Sequence, residues 1–183
     1  MGWLLAQLDS DQYLPLLERD IARMRNYIDA FPELDVLAAK IHSLKTEWDQ
    51  AREAIQHALS LNENEPSFLH VWATIEQASG NLQHAKKIYQ DILSRHYDFS
   101  RSRHNLALLL YQENRIEETM AELIKTVRFD RGYSRAYSTL AQVYYLQKST
   151  SQLRSFSLPR FVEENPVFQE QLRILSSSTK NNP

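Results

Sequence analysis

The sequence predicts an all-α fold, an α-solenoid built from antiparallel helix pairs. Three observations predict it. Residues of like size recur every 34 positions, so that Ala39, Ala73, Ala107 and Ala141 share one register. Within each period the apolar residues follow helical spacing. Glycine (3) and proline (6) are scarce in 183 residues, which disfavours hairpin-rich β folds and glycine loops that cradle phosphate.

The elements follow in chain order. Residues 1–31 form an N-terminal helical region. Its stretch "DQYLPLLERDIARMRNYIDAF" reads as one long helix, with Leu16, Leu17, Ile21, Met24 and Ile28 at helical spacing. It is either a cap or the second half of a degenerate repeat whose first half is "GWLLAQL". A start in mid-repeat also fits a piece of a larger array.

Three full repeats follow at 32–65, 66–99 and 100–133. Two positions after the alanines stand Ile41, Ile75, Leu109 and Val143. Further on come Ala51, Ala85 and Thr119, then Ile55, Tyr89 and Leu123, then Ala58, Ile92 and Thr126. Each of the last three precedes a large apolar residue: Leu59, Leu93 and Val127. Small residues alternating with large ones on one face let two helices approach closely.

Within "SGNLQHAKKIYQDIL", Gly80 aligns with Thr46 and Asn114. It is read as the tight turn between the two helices of a repeat, with second helices opening at Trp48, Leu82 and Ile116. A glycine in a turn escapes the roughly 1 kcal/mol that it costs inside a helix.

A divergent fourth repeat covers 134–158. Its first helix, "SRAYSTLAQVYYLQ", keeps the pattern, but "STSQLRSFSLPRFVEENP" does not continue it, and Pro159 interrupts any helix there. A C-terminal capping helix is expected over 159–177, with "PVFQEQLRILS" opening at Pro166 and packing on repeat four. Residues 178–183 are expected to be a flexible tail.

The period and its residues resemble the tetratricopeptide repeat (TPR) family. The resemblance rests on small residues at repeat positions 8, 20 and 27, the large residue at 24 (Ile55, Tyr89, Leu123), and a glycine at 15 in one copy. It implies about three full repeats wound as a TPR superhelix. Departures are visible: the family's proline near position 32 is replaced by Glu63, Tyr97 and Arg131. Its tryptophan at position 4 appears as Asp35, Leu69, Arg103 and Tyr137.

None of the local catalytic motifs is present. There is no phosphate loop, no dinucleotide glycine fingerprint, no His-Glu-x-x-His and no Gly-x-Ser-x-Gly. The six histidines lack tight ligand spacing, and without cysteine there is neither a thiolate zinc site nor a thiol nucleophile. The pairs Glu117–Glu118 and Glu163–Glu164 are read as helix-dipole or solvated residues. The expectation is a protein that is not an enzyme and uses no cofactor or metal.

A net charge of −2 and a pI near 6.3 supply no electrostatic reason to expect nucleic acid. No run approaches the roughly 20 apolar residues of a membrane span, and "MGWLLAQLDSD" lacks the basic region of a signal peptide. A cytoplasmic location is the default expectation, and an exported form whose signal has been removed is compatible with it.

The resemblance implies a function through a surface. In TPR arrays, first helices line a concave groove through positions 2, 5, 9 and 12 of each repeat. Carried onto this sequence, those positions place Lys40, His70, Thr74, Gln77, Arg101, His104, Tyr111, Arg135, Gln142 and Tyr145 in a peptide-binding groove. Tyrosine offers rigid contact area and arginine offers bidentate carboxylate binding.

The stretch "SRHYDFSRSRHN" concentrates Arg95, His96, Arg101, Arg103 and His104 against Asp98, which points to an acidic partner or a C-terminal carboxylate. The family's clamp for heat-shock chaperone tails carries lysine at position 5 and asparagine at position 9 of its first repeat. Val36 and Lys40 stand there instead, so that clamp is not expected.

The leading expectation is a non-catalytic protein-protein interaction module, serving as an assembly scaffold. The alternatives are a bacterial secretion-type TPR chaperone and a binding or regulatory arm of a larger enzyme. Tyr13, Leu14, Met24, Tyr27 and Phe31 exceed what a lone leading helix needs; the first expectation is that they are buried on repeat one, and the alternative is that they pair two copies as a homodimer through the N-terminal helix.

Overall fold

The computed structural model describes residues 10–27, 31–148 and 157–178. Every regular element among them is a helix. In chain order these are α1 (Ser10–Arg25), α2 (Pro32–Leu44), α3 (Trp48–Leu61), α4 (Pro66–Ala78) and α5 (Leu82–Arg95). Then come α6 (Ser100–Gln112), α7 (Ile116–Phe129), α8 (Ser134–Lys148), α9 (Arg160–Glu163) and α10 (Pro166–Ser178). Two compact units divide the chain, residues 1–88 and 89–183, with the boundary inside α5.

The helix ends have local causes. Pro32 and Pro66 open α2 and α4 at a position where a missing N–H costs nothing and φ is already helical. Asn165 opens α10, its Oδ1 accepting from the backbone N–H of Val167 (3.0 Å) and Phe168 (3.2 Å).

The turns inside the repeats share one geometry. Thr46 (φ 61°), Gly80 (φ 90°) and Asn114 (φ 59°) are left-handed. Each ends a Schellman motif. Its N–H donates to the carbonyl three residues back (Ser43, Gln77, Tyr111), and the next N–H donates to the carbonyl five back (His42, Glu76, Leu110). Threonine, β-branched, takes this conformation at a cost that glycine avoids.

In the first unit, α2 and α3 pair antiparallel, α4 packs against both, and α1 lies on α2. Leu14 and Ile21 of α1 are buried with Leu34, Ala38 and Ile41, while Leu17 and Ala54 pack against them. Here the structure corrects the sequence reading. Leu16 and Met24 are 42% and 44% exposed, so the buried stripe is Leu14–Leu17–Ile21. The helix also ends at Arg25 rather than running on to Phe31, and Asn26 and Tyr27 form a turn in which their N–H groups donate to the carbonyls of Arg23 and Met24. Ile28 lies outside the described residues, as does the "GWLLAQL" stretch.

In the second unit, α6 pairs with α7, α8 packs on α7, and α10 packs on α8. Its core joins Met120, Leu123, Val127, Tyr137 and Leu140 with Leu158, Val162 and Phe168 from the C-terminal segment. Thr119 and Thr126 occupy positions that hold alanine in the first repeat. Each buried hydroxyl donates to the carbonyl four residues back, at 2.9 and 2.8 Å, so neither is left unsatisfied. Residues 149–156 of the fourth repeat and 179–183 of the expected tail lie outside the described residues.

Candidate functional site

The expected first-helix positions separate by unit. In the first unit, Lys40 on α2 is exposed, while His70, Thr74 and Gln77 on α4 are half-buried. The Thr74 hydroxyl donates to the Val71 carbonyl at 2.7 Å, so its polar capacity is partly spent within its own helix. In the second unit, Arg101, Arg135 and Gln142 are exposed, and Tyr111 and Tyr145 are half-buried. His104 is 2% exposed and so presents almost no surface of its own.

The surroundings of His104 explain its placement. The Thr139 hydroxyl donates to the Arg135 carbonyl (3.0 Å), which leaves its oxygen to accept from His104 Nε2–H (3.0 Å). The other ring nitrogen, Nδ1, then holds a lone pair, and no partner meets hydrogen-bond geometry there. The ring stacks edge-on against Tyr133, centroids 5.5 Å apart. Burial first, and the Arg135 charge second, push the imidazole down to about 4, against a weaker opposing pull from Asn105. It is neutral at pH 7.

Tyr133, which the sequence does not single out, lies within the field of both exposed arginines. Its phenol is pushed up by burial, and the charges of Arg135 and Arg101 oppose that shift, with Asp130 acting the other way. Arg101 and Arg135, one repeat apart, therefore act on the same phenol. Neither takes part in an ion pair among the described residues.

The other two arginines of the basic stretch are committed elsewhere. Arg103 is 8% exposed; its Nη1 donates to Glu122 Oε2 at 2.6 Å, its Nη2 donates to the Tyr97 carbonyl, and its guanidinium lies over the Phe129 ring. Arg95 pairs with Asp91. The expected cluster of cations thus reduces to Arg101, joined by Arg135 from the next repeat. Spacing alone does not distinguish an arginine facing water from one reaching across to a neighbouring helix.

The first unit buries acids instead. Glu76, 3% exposed, accepts from Arg52 Nε (3.0 Å), Trp72 Nε1 (3.2 Å) and Asn81 Nδ2 (2.7 Å), with His84 Nδ1 at 3.5 Å. Burial pushes this carboxyl up, but the Asn81, Arg52 and Trp72 donors together hold it below the usual carboxylate range. Asp35 is paired with the Arg25 guanidinium and with His57 Nδ1 at 2.7 Å.

Arg25, Asp35 and His57 belong to a cleft of about 540 Å³ with Phe31, Leu34, Ala38, His42, Gln50, Glu53 and Ala54. An acid orienting a histidine supplies two of the three members of a catalytic triad, yet no lining residue offers a hydroxyl, thiol or amine nucleophile, and Arg25 competes for the acid. Glu18, His42 and Glu47 bring ligand atoms within 4.8 Å of one another. Lys45 Nζ sits on that trio, 2.8 Å from Glu18 and 3.0 Å from Glu47, and its ammonium already supplies the positive charge that a metal would bring.

A second cleft of about 650 Å³ runs between α8 and α10. Tyr144 and Tyr145 form one wall; Pro166, Gln169, Glu170, Leu172, Arg173 and Ser176 form the other. Tyr145 was expected as a groove residue, and it meets the C-terminal helix here.

No protein-family model matches the sequence, and no curated protein matches it significantly. Solved structures do. A crystal structure of MamA is similar with a TM-score of 0.60 at 14% identity, covering 94% of this chain and 92% of that one. Pseudomonas aeruginosa PilF is similar with a TM-score of 0.62 at 16% identity, over 76% of this chain and 69% of that one. YrrB, described as a TPR protein with an unusual peptide-binding site, gives 0.57 at 12% identity, over 93% and 84%. At these identities the likeness establishes the fold, which is that of TPR proteins.

Proposed function

We propose that the chain is a non-catalytic interaction module that holds a protein or peptide segment against its first helices, and that α6 and α8 receive an acidic group of that segment. The observation that carries the reading is the pair Arg101 and Arg135. The two stand at equivalent positions one repeat apart, both are exposed, and no carboxylate among the described residues forms an ion pair with either. Cations gathered without counter-charge repel one another and gain when an anion arrives. Tyr111, Gln142 and Tyr145 extend the same helices with aromatic and amide contacts.

The test is capture from native lysate with the wild type beside an Arg101→Glu/Arg135→Glu variant and a Lys87→Glu control, all matched by circular dichroism. A specific partner retained by wild type and control but lost by the double variant supports the reading. Equal retention by all three overturns the assignment to α6 and α8. A captured client that is insoluble alone and soluble when co-expressed would move the role to that of a chaperone.

A further inference from the structure

We propose that α1 is a self-association surface, through which two copies of this chain pair with their α1 helices antiparallel. The inference is independent of the peptide reading, which rests on α6 and α8.

Leu14, Leu17 and Ile21 spend one edge of α1 on the core of the first unit. Beside that edge stand Tyr13 (40% exposed), Leu16 (42%), Met24 (44%) and, in the turn just beyond the helix, Tyr27 (88%). Single exposed apolar residues need no explanation, but a run of four large ones within fifteen residues does.

The order of residues along this face names the occupant. Leu16, Asp20 and Arg23 follow one another at spacings of 4 and 3, which places them on one stripe of α1, and Tyr27 stands exposed in the turn that continues from its C-terminal end. Continued into that turn, the stripe reads apolar, acid, base, apolar. Laid antiparallel on a copy of itself, it sets Leu16 against Tyr27, Asp20 against Arg23, and the same two pairings again by symmetry. A two-fold interface requires such self-complementarity, since one patch must serve both sides. Tyr13 and Met24 flank the stripe and widen the apolar contact.

The charges are available for this use. Asp20 has a loose contact with Arg19, 3.6 Å with both side chains 56% exposed, and Arg23 forms no ion pair among the described residues. A partner of unrelated sequence has no reason to match this order, whereas a second copy matches it by construction.

The experiment is sedimentation velocity of the full chain over a wide concentration range, with helicity checked in every variant. Wild type is expected to show a concentration-dependent dimer. Leu16→Glu/Tyr27→Glu is expected to be monomeric at unchanged helicity. Asp20→Arg alone and Arg23→Asp alone each replace two attractive contacts with two repulsive ones, and each is expected to weaken dimerisation by about tenfold or more. Mixing those two single variants restores both pairings and should recover the dimer as a heterodimer. A wild type that stays monomeric throughout overturns the proposal, as does a dimer indifferent to the single reversals or a mixture that fails to recover.

Discussion

In the first unit, buried charge on the first helices is matched from within. Asp35 meets Arg25 and His57, and Glu76 is ringed by Arg52, Trp72 and Asn81. In the second unit, the buried groups are a guanidinium, Arg103, paired with Glu122, and a neutral imidazole, His104. Two further arginines there, Arg101 and Arg135, stay at the surface without an ion pair among the described residues. Charge of the first kind holds helices together and can be lent to a ligand only by breaking the fold. Charge of the second kind costs the fold nothing to share. Similar helix pairs thus carry a structural polar network in one unit and an open one in the other.

Breaking the closed network should have the largest effect. Glu76→Ala leaves Arg52, Trp72 and Asn81 facing a lost acceptor, and should cost about 3 kcal/mol in urea unfolding. A loss below about 1 kcal/mol would show that water replaces the carboxylate and that the network is not closed.

The open unit has its own signature in pH. His104 titrates near 6.5 when unfolded but is pushed down to about 4 when folded, so between those values the unfolded chain binds the extra proton. Stability contributed by the neutral ring is fully present above pH 6.5 and is lost as pH falls toward 4. The loss should reach roughly 2 kcal/mol by pH 5. His104→Leu should flatten that part of the profile, and an unchanged slope would mean that the ring is hydrated in the folded state.

The repeat turns test backbone rather than charge, with examples in both units. Gly80→Ala should cost about 1 kcal/mol through its left-handed φ, since a Cβ there meets nothing within 4 Å. Thr46→Gly should be stabilising by a few tenths up to about 1 kcal/mol, and Asn114→Gly by less, because asparagine tolerates that conformation. Thermal melts of the three variants check the order.

The smallest effect separates the two kinds of charge most sharply. Arg101→Ala/Arg135→Ala should leave stability within about 0.5 kcal/mol of wild type. A larger loss in urea unfolding would place these arginines with Glu76, in the scaffold.

Much of the fold was legible in the sequence because size and spacing carry it. Ala39, Ala73, Ala107 and Ala141 are fully buried, as are Ile55, Tyr89 and Leu123, and α3, α5 and α7 begin at Trp48, Leu82 and Ile116. The leading helix was harder to read because two stripes overlap on it. Leu16–Met24 and Leu14–Leu17–Ile21 both satisfy helical spacing, and only the docking of α1 on α2 chooses between them. The polar sites were less legible still. Glu76 depends on Arg52, twenty-four residues earlier, and Arg103 on Glu122, nineteen later, so neither pairing leaves a local pattern. Tyr133 lies just before α8 and carries no repeat signature, yet its phenol feels the charge of both Arg101 and Arg135.

The most direct test of the central claim is a calorimetric titration of the captured partner segment into wild type and into Arg101→Ala/Arg135→Ala, each at low and at moderate salt. The double variant should bind about tenfold or more weakly and lose most of the salt dependence seen with wild type. Equal affinities with equal salt dependence would contradict the claim, because the charge left open in the second unit would then play no part in binding.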